Sequence, residues 1–326
     1  MASDFGISFD GSETPEALLA LVKTADRAGA STAWLASHLF QREPIAASAL
    51  ALAQTGNVRI ALMAMSPYSV HPLYATMAAA TLDEYFPGRV TLCFGVGAPR
   101  DLEAAGLAAE HPLGTMREAI AVSRALLSGE PVDFHGKHFQ VSGRRLAGGA
   151  REIPIYLAAS GPQMLELAGA AADGVLISAA TSPAFIRWTL ELVRKGEDAA
   201  GRRIRKSALV YVSADDDAEV ARARLRRPLA FILRGQHHAR NLALAGTSLD
   251  QAALTATYAR EDWAAVDALI SDDVLRNHTA SGTADQVKAA FANYEAVGID
   301  EIVASGIKEP AQLQKAFETL GDRRQG

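Results

Sequence analysis

The sequence holds a single cysteine in 326 residues, Cys93. No disulfide can form within one chain, and a cysteine-rich metal centre is excluded. Cys93 falls inside an apolar strand and reads as an inert core thiol. Excess positive charge is also missing. The formal net charge of −5 and pI near 5.9 leave no basic footprint for nucleic acid. No uninterrupted apolar run approaches membrane-spanning length. The first residues, MASDFGISFDG, show neither a basic n-region nor a long apolar stretch, so the reading is of a cytoplasmic protein without a signal peptide. Gly-x-Ser-x-Gly and Walker loops are absent. The first strand carries no histidine pair, which argues against a metallo-hydrolase barrel and against metal catalysis. Gly95-Val96-Gly97 lacks the spacing of a dinucleotide fingerprint. No strong internal repeat and no low-complexity linker interrupts the chain.

What remains is a regular alternation. Short apolar strands are expected at Phe5–Phe9, Thr32–Ala36, Arg59–Met65, Val90–Phe94, Ile155–Ala159, Ala208–Ser213 and Glu301–Ser305, with a further buried strand ending at Ser178. Helices are expected between them, at Pro15–Ala28, Ile45–Gln54, Pro72 to about Glu84, Thr115–Leu127, Ser182–Ala199, Ala284–Val297 and Pro310–Leu320. Strands alternating with helices give a parallel sheet with right-handed crossovers. The alternation breaks twice. Val132–Val141 has period two around His-Gly-Lys and reads as a β-hairpin. From about 229 to 277 the pattern loosens into what reads as helical insertions over one end of the fold. The fold class is therefore α/β: one TIM (β/α)8 barrel domain over 1–326, with a hairpin after the fourth unit and a helical insertion before the eighth strand.

Active sites of such barrels lie at the C-terminal ends of the strands. That rule selects Ser37 and His38, Ser66, Gly95–Pro99 and Ser160–Gly161, with Asp10, Glu13, Ser178 and Ser305 at other strand ends. His38, a histidine at a strand end, is the strongest acid–base candidate, with a structural role open beside it. After the strand Ile155–Ala159, Ser160 is placed to cap a helix, Gly161 admits a group close to the backbone and Pro162 occupies the first turn. The amides of Gly161, Gln163 and Met164 would then face an anion. An ordinary strand-to-helix turn that binds nothing is the competing reading. His135 and His138 read as solvated hairpin residues, and the run 202–206, RRIRK, as a solvated loop before a strand.

Four stretches taken together resemble the bacterial-luciferase-like superfamily of flavin- and deazaflavin-dependent barrels. They are AWLASHLF at 33–40, SPYSVHPLYATMAAATLDEYFPGRVTLCFGVG at 66–97, MREAIAVSRALLSGEPVDFHGKHFQV at 116–141 and PIYLAASGPQMLELAGAAADGVLIS at 154–178. GTADQVKAAFANYEAVGIDEIVASG near the C-terminus fits as well. Within the superfamily the chain is most similar to the branch that uses coenzyme F420, such as methylenetetrahydromethanopterin reductase-like proteins. The resemblance implies that Ser160, Gly161, Pro162 and Gln163 hold the cofactor phosphate, and that Ser66 and the backbone at Ala64–Met65 support the ring. It places Ser37, Val96 and Gly97 beside the ring and His38 near the substrate. Members of that branch often carry a non-proline cis peptide at Ala64–Met65. Two positions depart from the pattern. Ser37 stands where many deazaflavin enzymes have an acid, and Ala98 where sugar-phosphate dehydrogenases have a glutamate. The implied activity is an F420-dependent oxidoreductase acting on a small organic substrate, working as a homodimer. An FMN-dependent monooxygenase and a non-catalytic binding barrel are the alternatives.

Overall fold

The computed structural model describes residues 3–324. In chain order the elements are β1 (Asp4–Phe9), α1 (Pro15–Arg27), β2 (Thr32–Ala36), α2 (Pro44–Ala53), β3 (Arg59–Met65), α3 (Pro72–Tyr85), β4 (Val90–Phe94), α4 (Pro99–Ala104) and α5 (Pro112–Leu127). The hairpin β5 (Val132–His135) and β6 (Gln140–Arg144) follows, then β7 (Ile155–Ala159), α6 (Pro162–Ala171), β8 (Gly174–Ile177) and α7 (Pro183–Ala200). The remainder is β9 (Arg205–Ala214), α8 (Ala218–Leu233), α9 (Ala239–Ala245), α10 (Gln251–Ala259), α11 (Trp263–Leu269), α12 (Asp272–His278), β10 (Thr279–Gly282), α13 (Ala284–Ala296), β11 (Glu301–Ser305) and α14 (Pro310–Arg324). The fold class is the expected one, a TIM (β/α)8 barrel.

The chain divides into two compact units. One comprises Ile7–Leu176 and Glu191–Lys206. Its strands β2, β3, β4 and β7 are parallel neighbours, with Leu35 opposite Leu62, Leu62 opposite Leu92 and Phe94 opposite Leu157. The β3–β4 register shifts between Leu62 and Met65, and such a bulge bends a strand and re-aims its end. No peptide bond among the described residues is cis, so the cis peptide implied at Ala64–Met65 is absent, and the shifted register with trans bonds sets the course of the chain there. Trp34 on β2 meets Tyr156 on β7 edge to face at 5.4 Å. Two strands separate β2 from β7. In a flat sheet these positions would stand about 14 Å apart, so this part of the sheet is strongly curved. Both rings lie on its concave side.

Local chemistry explains most boundaries. Six helices of this unit start with proline at the first position, where the missing N–H costs nothing. Thr14 caps α1 by accepting from Ala17 N, and the Glu43 carboxylate caps α2 by accepting from the amides of Ile45 and Ala46. The hairpin packs Val132 and Val141 on Val122 and Leu126 of α5. The Glu118 carboxylate accepts three amides of its turn, Lys137, His138 and Phe139, at 2.8–3.2 Å. Burial works to raise that carboxyl, but the three amides and nearby His138 hold it below the usual range.

The other unit contains Ile177–Leu190 and the chain from Ser207 onward, together with the first residues up to Gly6. β10 and β11 flank β9 in parallel. The segment expected to hold helical insertions forms α9 to α12. They share one apolar core with α8, built from Leu225, Leu229, Leu233, Leu254, Val266 and Val274. Two elements were not foreseen in the sequence. β10 is four residues long, and α4 follows the Gly95–Pro99 loop.

Candidate functional site

Every candidate cofactor and catalytic residue belongs to the unit containing Ile7–Leu176. At the end of β2 the Ser37 amide donates to Met63 O at 2.5 Å, fastening the start of the 37–43 loop to β3. His38 follows with its side chain 50 % exposed, and its Nδ1 stands 3.9 Å from Oδ2 of Asp101, which is 34 % exposed. Sequence reasoning found no partner for His38. The partner lies in the first turn of α4, on the loop after a different strand. The loop turns through Phe40, whose φ of +66° is left-handed and whose ring is 73 % exposed. A non-glycine residue held there costs of order 1–2 kcal/mol and persists only when its surroundings enforce it. The enforcing contacts are the Gln41 amide on His38 O, the Arg42 amide on Gly11 O and Arg42 Nη1 on Ser12 O at 2.8 Å.

Ser66, at the end of β3, is buried and donates its hydroxyl to Val96 O at 2.7 Å while accepting from the Tyr68 amide. It is a clamp between the loops after β3 and β4. Gly97 sits against it with φ +96°, and a Cβ there would stand 3.2 Å from Ser66 Oγ. Gly95 is tighter: a Cβ would meet the Cβ of Ala64 at 2.7 Å and that of Ala158 at 3.3 Å. Three strand ends, β3, β4 and β7, therefore converge on Gly95. Met65 is buried and its carbonyl accepts the Gly95 amide, so only its backbone bears on the site. Cys93 is fully buried beneath, and burial pushes its thiol up, as an inert core residue requires.

Two residues beyond Ala158 the chain enters the 160–163 turn. Ser160 does not cap α6. Gly161 is the N-cap residue, with no side-chain cap bond, because Pro162 fixes the first helical position one residue later than a serine cap needs. Ser160, Gly161, Pro162 and Gln163 are all exposed. A Cβ placed on Gly161 meets nothing within 4 Å, so space opens in front of the helix end. The first intrahelical bond runs from Leu165 N to Gly161 O, leaving the amides of Gln163 and Met164 without partners inside the helix. Open space, unspent amides and a free serine hydroxyl fit a phosphate.

Other residues singled out in the sequence lie elsewhere. His138 packs against Gly114 and the His111 ring, at the start of α5. The basic run is internally neutralised: Arg202 pairs with Asp173, Arg203 with Asp198 and Lys206 with Glu197. Among the described residues no three His, Cys, Asp or Glu side chains gather in a metal-holding group.

The sequence matches the family described as luciferase-like monooxygenase over residues 4–301. It is 29 % identical over 324 residues to a 5,10-methylenetetrahydromethanopterin reductase of Methanolobus tindarius, covering 97 % of this chain and 98 % of that one. It is 27 % identical over 286 residues to an F420-dependent glucose-6-phosphate dehydrogenase of Rhodococcus jostii, covering 83 % and 78 %. Among solved structures it is similar to the coenzyme F420-dependent tetrahydromethanopterin reductase of Methanopyrus kandleri, with TM-score 0.90, 25 % identity and 98 % coverage of both chains.

Proposed function

Because the chain belongs to the luciferase-like monooxygenase family, we propose that it is an F420-dependent oxidoreductase moving a hydride between the deazaflavin and a small organic substrate. The observation that carries this reading is the close packing of the ends of β3, β4 and β7 at Gly95, with the Ser66 hydroxyl tying the loops after β3 and β4 and the 160–163 turn following directly on β7. Ser160 and the amides of Gln163 and Met164 hold the cofactor phosphate, with Gly161 and Pro162 shaping the turn. Ala64, Met65, Val96 and Gly97 form the floor beneath the ring, kept in shape by the Ser66 hydroxyl. When bound, coenzyme F420 supplies a two-electron hydride carrier. His38 donates or accepts the substrate proton at its imidazole. Asp101 orients that ring and takes the place of the acid missing at Ser37.

Separate titrations with F420 and FMN, followed by ring fluorescence, test the reading. Micromolar binding of F420 in preference to FMN supports it. Preference for FMN replaces it with a monooxygenase using reduced FMN and dioxygen, and binding of neither leaves a non-catalytic barrel. The working unit is proposed to be a homodimer. Tyr74, Met77 and Tyr85 form an exposed stripe along one face of α3, with Tyr85 73 % exposed, and light scattering reads the mass. No helix among the described residues is long and apolar enough to cross a membrane. The cytoplasm is the proposed compartment, which cell fractionation tests.

A further inference from the structure

A cavity lies on the helix-facing side of β1 and β2. It has a volume of about 300 Å³, at the lower end of the range for small-molecule pockets. Phe9 and Leu35 form its floor, and they are paired neighbours on β1 and β2. Leu35 projects from the opposite face of β2 to Trp34. The Trp34 ring meets Tyr156 on the concave side, so Leu35 faces the helices. Leu18 of α1 and Ala47 and Leu50 of α2 complete the walls. The rim is polar, and its charged side chains hydrogen-bond the neighbouring backbone. Glu13 accepts the Gly11 amide, Arg42 Nη1 donates to Ser12 O, and both Glu43 oxygens accept amides of α2. Arg42 stands at the rim with two carboxylates, Glu13 and Glu43, so no isolated counter-charge is offered to a ligand, and the apolar floor and walls favour an occupant without charge.

One further relation gives the cavity meaning. Ala36, Arg42 and Glu43 line it, and they are the residues at the two ends of the 37–43 loop. That loop carries His38 and the left-handed Phe40. A molecule in the cavity would press on both anchors of the loop at once.

We propose that this cavity binds an uncharged apolar molecule and that its occupancy firms the His38 loop. An apolar cavity of about 150 Å³ holds benzene, so twice that volume suits two fused rings, with a further group at the open mouth beside Leu50. The proposal does not depend on the identity of the redox cofactor.

The probe for the test is N-phenyl-1-naphthylamine, an uncharged dye that brightens in apolar surroundings. The full-length protein is expected to bind it saturably at one site, with a Kd of the order of 100 μM or tighter for a ligand of this size. Ala47→Phe fills the cavity from a partly exposed helix position, and Leu50→Glu places a charge at its rim. Each should weaken the dye at least tenfold without lowering the melting temperature, and F420 affinity should stay as in the parent. Hydrogen exchange should show the amides of 37–43 gaining protection as the dye saturates. Absence of saturable binding overturns the site, as does unweakened binding in both variants. Unchanged exchange in 37–43 at saturation overturns the coupling to the loop.

Discussion

Acid should destabilise this protein at a pH where carboxylates hardly contribute, because of two buried histidines in the layer formed by α8–α12. His278 is fully buried. Its Nδ1 lies 3.1 Å from Ala180 O and its Nε2 3.0 Å from Thr247 Oγ1. A carbonyl only accepts, so Nδ1 carries the proton and Nε2 accepts from the threonine hydroxyl. Burial pulls His278 down to about 4, against the smaller opposing effect of Ala180 O. Burial, with the neighbouring His237 and His278, pulls His238 down to about 3. Its Nε2 has no hydrogen-bond partner. Both folded values lie below the unfolded value near 6.5. The unfolded chain therefore takes up protons first, and stability falls as pH drops from about 7 toward 4 and 3, with no change above 7. Between pH 7.5 and pH 5 linkage gives a loss of about 2 kcal/mol for each histidine, about 4 kcal/mol together. The result hardly depends on the folded values so long as they stay below 5. Asp26, Glu118 and Asp215 have carboxyls held below their ordinary values, and their contribution is lost only below about pH 4. Urea unfolding at the two pH values, followed by tryptophan fluorescence at constant ionic strength, reads the difference. His238→Leu removes one titrating group and an unsatisfied buried nitrogen, so it should halve the acid loss with little cost at pH 7.5. A loss under about 1 kcal/mol at pH 5, or an unchanged loss in His238→Leu, would refute the reasoning.

Other outcomes follow from the site. His38→Ala should leave F420 affinity within twofold and lower turnover by about 10²-fold or more; collapse of cofactor binding would make His38 a structural or ring-contact residue. Asp101→Asn should lower kcat about tenfold and alter the pH profile of turnover, while the unfolding midpoint stays put, since an exposed pair is worth at most about 1 kcal/mol. Gly95→Val should destabilise by about 1–3 kcal/mol in urea titrations, because the new side chain must enter space held by Ala64 and Ala158. Gly161→Ala should keep the same melting temperature, since its Cβ meets nothing, yet weaken the cofactor if phosphate approaches that backbone.

The barrel strands were legible because each is a short apolar run bounded by turn residues. Thr32–Ala36, Arg59–Met65, Val90–Phe94, Ile155–Ala159 and Glu301–Ser305 stand where the pattern puts them. The layer from 229 to 277 was not legible in detail. Each of its short helices gives the shared core one or two residues, such as Leu254 from α10 and Val266 from α11, and a helical period cannot be read from so few positions. α4 was hidden for the same reason, with six residues and only Leu102 buried. The α6 start was placed one residue early because Ser160 is a good cap by type, and Pro162 overrides it. Chain order brought the strand-end residues into view but not their partners. Asp101 is remote from His38 in sequence, on a helix the pattern did not reveal, so no spacing could connect them.

That pairing changes the meaning of the two departures at Ser37 and Ala98. Each removes a carboxylate from a loop at the strand ends, and read separately they point to a decayed site. The structure returns one carboxylate to the neighbourhood from a third position. Asp101 lies one helical turn beyond Ala98 and stands 3.9 Å from His38. Folding gains little from a half-exposed pair, so stability does not account for it. Under the proposed function it serves chemistry instead, because a carboxylate near Nδ1 would bias the imidazole toward presenting its other nitrogen to the substrate. The short α4 is what makes the pair. Pro99 starts the helix, Leu102 anchors it beside Gly97, and Asp101 is carried back toward His38.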